Sequence, residues 1–314
     1  MKLKAEAAIL SKQLGATEAV VAIGTRVPDD AATAGMLGTE RNGHGTVIRE
    51  DGLVVTIGYL VVDADCAWVR TAAGRVVPAY VVCYDHESGL GLLKTSAPLD
   101  VTPLPLGDSA ALPTGTRAWF RASGSATGVL ATRVVARHEF VGRWEYLLDD
   151  ALFTAPPHGN WAGAALLDDG GSLCGVGSLL LQMPQAKAKP HTVNMFIPIE
   201  SILPHLDALI ASGSRLTAAR PWIGALLQDD ESQLIVAGVY RDSPAEAAGV
   251  GPGDVIVAVA GQPMTGLAEL YRAMWSRGPA GVEIPLTILS GTTTRDVLVR
   301  SVDRNSLHPH GTAH

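Results

Sequence analysis

The chain has 314 residues, 47% hydrophobic and 18% charged, with 34 Gly and 19 Pro. That composition excludes a disordered or low-complexity protein and leaves room for about two folded, loop-rich domains. A net charge of −7 with no Lys/Arg cluster argues against a nucleic-acid partner, and no stretch approaches the ~18 apolar residues that a membrane span needs.

The N-terminal run AEAAILSKQL (5–14) predicts a short helix with Ala8, Ile9 and Leu14 on one face. Its basic start lacks the apolar core of an export signal. The expectation is therefore a cytoplasmic protein if Met1 is the native start, and a periplasmic one if a leader has been trimmed. Residues 1–39, including the apolar run from Ala19 to Ile23, are expected to pack on the domain that follows. Gly43–Ile48 and Leu53–Thr56 flank an Asp51-Gly52 turn, a hairpin signal. Further β-type runs follow at 67–71, 76–83, 90–93, 117–120, 129–136, 145–148, 164–167, 173–181 and 192–197. Gly, Asp and Pro separate them at short intervals, which predicts a mainly β barrel or sandwich. Cys66, Cys83 and Cys174 have no C-x-x-C spacing and read as small buried apolar residues.

Beyond Pro198 the pattern changes. Glu200–Ser212 predicts a helix, with Pro204 in its first turn and Gly213 as its stop. Residues 201–220 form the connection. A second domain, 221–303, opens on Pro221-Trp222-Ile223-Gly224 and carries a helix at 267–277 between β-type runs. The tail, 304–314, has no apolar periodicity and predicts a frayed end.

Several ordered motifs resemble the trypsin-like domain of the HtrA (Deg) protease family. They are Gly43-His44-Gly45-Thr46-Val47-Ile48 with Asp51-Gly52, Asp85 to Lys94, Leu106-Gly107-Asp108-Ser109, Asp150-Ala151, Gly159 to Leu166, Gly175-Val176-Gly177 and Phe196-Ile197-Pro198. The second domain is similar to the PDZ domain of that family through Ser243-Pro244-Ala245, Ala248-Gly249, Pro252-Gly253-Asp254-Val255-Ile256 and Gly261. The resemblance implies a mainly β protein, a chymotrypsin/trypsin-like double six-stranded β-barrel over 40–200, followed by a small α+β PDZ domain.

The resemblance also implies where the chemistry should be. The family's catalytic histidine falls on Tyr59 and its aspartate on Gly89. The serine falls on Trp161 if Gly159-Asn160 is matched. It falls on Ala162 if Gly163 and Leu166 are matched, the preferred register because it keeps the glycine after the nucleophile. No hydroxyl is present in either case, so no acyl-enzyme can form there. The oxyanion loop becomes Asn160, Trp161 and Ala162, with Asn160 in place of a permissive glycine, and Trp161 is expected to pack into a closed cleft. His44 and His158 flank this loop and are weak metal-ligand candidates; Asp149, Asp150 and His86 have no ligand spacing to support them. No cofactor is expected. Ser88, Ser109, Ser125 and Cys174 have no nucleophile motif around them. In the PDZ domain, Ile223, Gly224, Ala225 and Leu226 are expected to hold a peptide carboxylate on backbone N–H groups. Leu267 and Tyr271 are expected to line the groove, with Leu270 and Met274 in the core.

The function expected is that of a catalytically inactive HtrA-like homologue, an adaptor or regulator. Its partners would be peptides or protein C-termini, and possibly an active HtrA-type protease. An active or rewired serine endopeptidase and a metal-binding module at the degenerate cleft are the alternatives. An oligomer is possible, but a trimer is not assured, because no aromatic residue precedes Tyr59.

Overall fold

The computed structural model describes residues 18–124, 129–185, 188–230 and 233–307. The helix expected over 5–14, Ser125 and the three histidines of the tail lie outside these residues. The chain divides into two units. Among the described residues, the first holds those from 18 to 139 and from 149 to 214; the second holds 140–148 and those from 215 to 307.

The first unit contains two closed six-stranded antiparallel barrels. The first barrel runs β1 (Val20–Arg26), β2 (Glu40–Val47), β3 (Leu53–Ile57), β4 (Cys66–Arg70), β5 (Val76–Asp85) and β6 (Leu90–Thr95), closed in the order β1-β2-β3-β6-β5-β4. β1 bonds to both β2 and β4. It is thus a wall of the barrel. The turn between β2 and β3 works as the Asp-Gly signal suggests: Gly52 takes φ +85° and Val47 pairs with Val54. Every residue of β3 is buried, which suits a β-branched strand with both neighbours paired.

The second barrel uses β7 (Arg117–Arg121), β8 (Val129–Gly142), β9 (Tyr146–Ala155), β10 (Ala165–Leu167), β11 (Leu173–Gln185) and β12 (Ala188–Pro198), in the order β10-β11-β12-β9-β8-β7. Its core gathers Phe120, Val134, Leu152, Leu166, Cys174 and Phe196. One polar side chain breaks the pattern. Arg121 is fully buried on β7, and none of its three guanidinium nitrogens has a hydrogen-bond partner among the described residues. Cys83 and Cys174 are buried, as read from the sequence; Cys66 is exposed, because it opens an outward-facing position of β4.

The single helix expected over 200–212 is broken up. Two 3₁₀ turns, Ile199–Ser201 and Leu203–His205, precede α1 (Leu206–Ser212). Pro204 removes an N–H where an α-helix would need one. Gly213, at φ +72°, closes α1 by donating to the Leu209 carbonyl.

The second unit is a sheet of β13 (Ala225–Asp230), β14 (Gln233–Val239), β15 (Val255–Val259), β17 (Glu283–Ser290) and β18 (Thr293–Arg300), in that order, with β16 (Gln262–Pro263) on β15. α2 (Leu267–Trp275) packs on it through Leu267, Leu270, Tyr271 and Met274, all buried. The tail is ordered further than the sequence suggests: Arg304–Leu307 forms a 3₁₀ turn, and Arg304 donates to the Trp144 carbonyl. Leu147, at the start of β9, belongs to the same apolar core as β13, β14 and α2.

Candidate functional site: a substituted cleft and an occupied carboxylate cradle

In the first unit, a cleft of about 460 Å³ lies over the Gly159–Ala162 loop and is lined by Ile23, Gly43, His44, Ser123, Asn160 and Trp161 among others. Trp161, expected to pack into a closed cleft, is half-buried and lines this open one. The loop is anchored from below. The Ala162 carbonyl accepts the His44 N–H at 2.8 Å, and the Gly163 N–H donates to the Gly177 carbonyl. Gly163 takes φ +73°, and a Cβ there would meet the His44 carbonyl oxygen at 1.9 Å, so no other residue fits.

Tyr59 stands in the short 3₁₀ turn Gly58–Leu60 after β3. Its hydroxyl donates to the Ser178 carbonyl at 2.8 Å. Burial pushes its pKa above the ordinary phenol value, against a hydrogen bond from the Trp161 indole. Trp161 thus reaches the residue at the expected histidine position. Gly89 lies in the turn between β5 and β6, at φ +77°, with its carbonyl bonded to the Gly58 N–H. The turn is held by Asp85, whose carboxylate accepts from both the N–H and the hydroxyl of Ser88.

The expected oxyanion donor at Asn160 is already used: its N–H donates to Nδ1 of His158 at 3.1 Å. His158 is stacked on Phe120, and its backbone is clamped by Asn194 on both sides. His44 accepts on Nδ1 from the Ser123 hydroxyl at 2.7 Å and the Ser123 N–H at 3.2 Å. Burial, and secondarily the nearby His158, push the His44 pKa down to about 4. Among the described residues, no group of three His, Cys, Asp or Glu side chains comes together, so the two histidines have no third ligand. Asp150 is paired with Arg137, Ser109 accepts from Arg137, and burial pushes the Cys174 thiol up to about 12. The Ser123–His44 pair has no sequence motif around it. It joins a strand of the first barrel, β2, to the loop after β7 of the second.

In the second unit, the Ile223–Ala225 turn has the form expected of a carboxylate cradle. Gly224 takes φ +80°, and a Cβ there would meet Ser243 Cβ at 2.4 Å. The N–H groups of Ile223, Gly224 and Ala225 all converge on one carboxylate, that of Glu145, at 3.3, 2.9 and 3.4 Å to Oε1. Along the free edge of β13, the Leu227 N–H donates to the Arg143 carbonyl at 2.9 Å. The Tyr271 hydroxyl on α2 donates to the Gly142 carbonyl and accepts from the Glu145 N–H. Tyr271 thus bonds this turn while sharing the apolar core with Leu267, Leu270 and Met274. Leu226, on the opposite face of β13, is half-buried. Sequence reading took Glu145 as the first residue of a strand. Instead it turns at φ +58° just before β9, a conformation that a glutamate side chain does not advertise.

The fold and these loops define a trypsin-like peptidase architecture followed by a PDZ domain. Residues 43–176 match the trypsin-like peptidase domain family, and residues 235–289 match the PDZ domain family. The probable periplasmic serine endoprotease DegP-like of Hahella chejuensis (strain KCTC 2396) is 29% identical over 276 residues, covering 83% of this chain and 56% of that protein. The protein of the same description from Brucella suis biovar 1 (strain 1330) is 30% identical over 265 residues, covering 78% and 49%. The chain thus spans about half the length of these relatives. Among solved structures, the HtrA-type protease AlgW with tripeptide aligns with a TM-score of 0.55 at 22% identity, over 94% of this chain and 96% of that one. The serine endoprotease from Yersinia pestis aligns with a TM-score of 0.56 at 22% identity, over 94% and 97%. The chain belongs to the HtrA (DegP) family of trypsin-like peptidases with PDZ domains.

Proposed function

We propose that this chain is a non-catalytic HtrA-family protein that acts by binding peptides or protein C-termini through its PDZ domain, as an adaptor or regulator. The observation that carries the reading is that Tyr59, at the position expected for the family's histidine, has its hydroxyl bonded to the Ser178 carbonyl, with the Trp161 side chain acting on it. A phenol with a raised pKa is no base at neutral pH, and an indole offers no nucleophile. The Gly224 cradle supports a binding role, because backbone N–H groups and an open sheet edge are what an extended peptide needs. The relatives are described as periplasmic, which supports the exported reading over the cytoplasmic one. No helix among the described residues is long and apolar enough to cross a membrane.

One observation favours a second reading, a rewired hydrolase: Ser123 Oγ lies 2.7 Å from His44 Nδ1 inside the open cleft. Against it, a histidine with a pKa near 4 is a weak base, and its Nδ1 already accepts the Ser123 N–H. Incubation with a serine-directed fluorophosphonate decides between them. No labelling is expected. Stoichiometric labelling that disappears in Ser123→Ala would establish the hydrolase.

A further inference from the structure

The cradle that a peptide carboxylate would need is already full. Three backbone N–H groups point at Glu145, a side chain only 7% exposed. The edge of β13 is used as well, by the Arg143 carbonyl. Tyr271 clips the same turn twice, at Gly142 and at Glu145, and Arg304 holds the Trp144 carbonyl from the other side. Leu147 completes the insertion by packing into the apolar core of the unit. These contacts reproduce the two parts of extended-peptide recognition, a carboxylate in an N–H nest and a backbone hydrogen bond to a sheet edge. Glu145 reaches the cradle only by adopting φ +58°, a region that costs a non-glycine residue free energy and persists when its surroundings enforce it.

We propose that the turn 142–146 is an intramolecular ligand of the PDZ groove, with the Glu145 side chain standing in for a C-terminal carboxylate, so that an outside peptide binds only when this turn withdraws. The inference rests on the peptide-binding reading of the groove. It makes the outside affinity equal to the intrinsic affinity weakened by the fraction of open grooves. The competing group must be a carboxylate on an extended backbone, because only that satisfies both the nest and the edge.

The test is a fluorescence-anisotropy titration of the full chain with labelled decapeptides ending in Leu, Val or Ile. Each is used as the free acid and as the amide. Wild type is compared with Glu145→Gly, which keeps the positive φ and removes the carboxylate. Glu145→Asn, tolerant of the same φ and one methylene too short, serves if the glycine variant melts early by circular dichroism. The expected result is that both variants bind the free acid at least about tenfold more tightly than wild type, as an open fraction of a tenth or less requires. The amide should gain little. The amide proton and nitrogen shifts of Gly224 should also move when Glu145 is replaced. Equal free-acid affinities in wild type and variants would overturn the inference while leaving the peptide receptor intact. No binding by any form would overturn the receptor reading and the competition together. An unmoved Gly224 resonance would show that the turn is not docked in solution.

Discussion

The Tyr59 hydroxyl donates to the carbonyl of Ser178 at 2.8 Å, tying the turn after β3 to β11. Tyr59 is thus a structural brace between the two barrels of the first unit. Tyr59→Phe should cost about 1 kcal/mol, the ordinary worth of such a bond. Urea melts should show a lower midpoint with an unchanged m-value. A variant as stable as wild type would mean that water replaces the hydroxyl at no cost.

Rebuilding the triad should not produce a protease. Tyr59→His, Gly89→Asp and Trp161→Ser supply the groups, and Ala162→Ser covers the other register. Gly89, however, sits at φ +77° in a turn whose carbonyl is bonded to Gly58. An aspartate there must strain the turn or leave it, and a misplacement of about 1 Å can cost on the order of 10²-fold. The Asn160 N–H is also held by His158. Casein turnover by the quadruple variant should stay at the wild-type background; turnover well above it would refute the argument.

Arg121 should be a stability defect that apolar substitution repairs. Its guanidinium is fully buried with no partner among the described residues, and burial pushes its pKa down to about 10. Replacing a buried ionic group by an apolar one of similar volume gains on the order of 1–4 kcal/mol. Arg121→Met should therefore raise the melting temperature in differential scanning calorimetry. A fall would point to a partner for the guanidinium in solution.

Peptide binding should strengthen as pH rises. Burial raises the Glu145 pKa from 4.5 to about 7, against Arg304 and the cradle N–H groups; the other ionisable group acting with it is Tyr271. Because the docked value lies above the undocked one, the docked turn is most stable below pH ~4.5 and loses stability as pH climbs through about 7. Free-acid peptide affinity should be higher at pH 8 than at pH 5.5. Glu145→Gln removes the titrating group and should flatten that dependence. A slope unchanged in the glutamine variant would assign it to another group.

Gly224→Val should abolish free-acid binding even when Glu145 is absent. The position needs φ +80°, and a side chain there collides with Ser243 and Trp222. A β-branched residue resists that conformation most. Anisotropy titrations of Gly224→Val in the Glu145→Gly background should show no saturation. Undiminished affinity would place the carboxylate elsewhere.

Much of this protein is written in local patterns. The Asp51-Gly52 turn and the short β runs each specify a backbone shape through a few neighbouring residues, which makes a mainly β barrel or sandwich legible; the double barrel and the PDZ domain were legible through the resemblance of ordered motifs such as Ser243-Pro244-Ala245. The absence of a hydroxyl at both Trp161 and Ala162 is legible too, since it is a fact of sequence. Long-range contacts were not. Whether Trp161 or Ala162 faces Tyr59 depends on how β10 seats against β11. The Ser123–His44 bond joins residues 79 apart in the chain, and the Glu145–Gly224 bond joins residues also 79 apart. Glu145 carries no local signal for a positive φ, and Arg121 none for burial without a partner; both were decided by the packing of distant strands. The sequence determined which groups the chain possesses and the elements that carry them. Only the tertiary structure decided which N–H groups meet which carboxylate, because that depends on the closing of barrels and sheets over many residues.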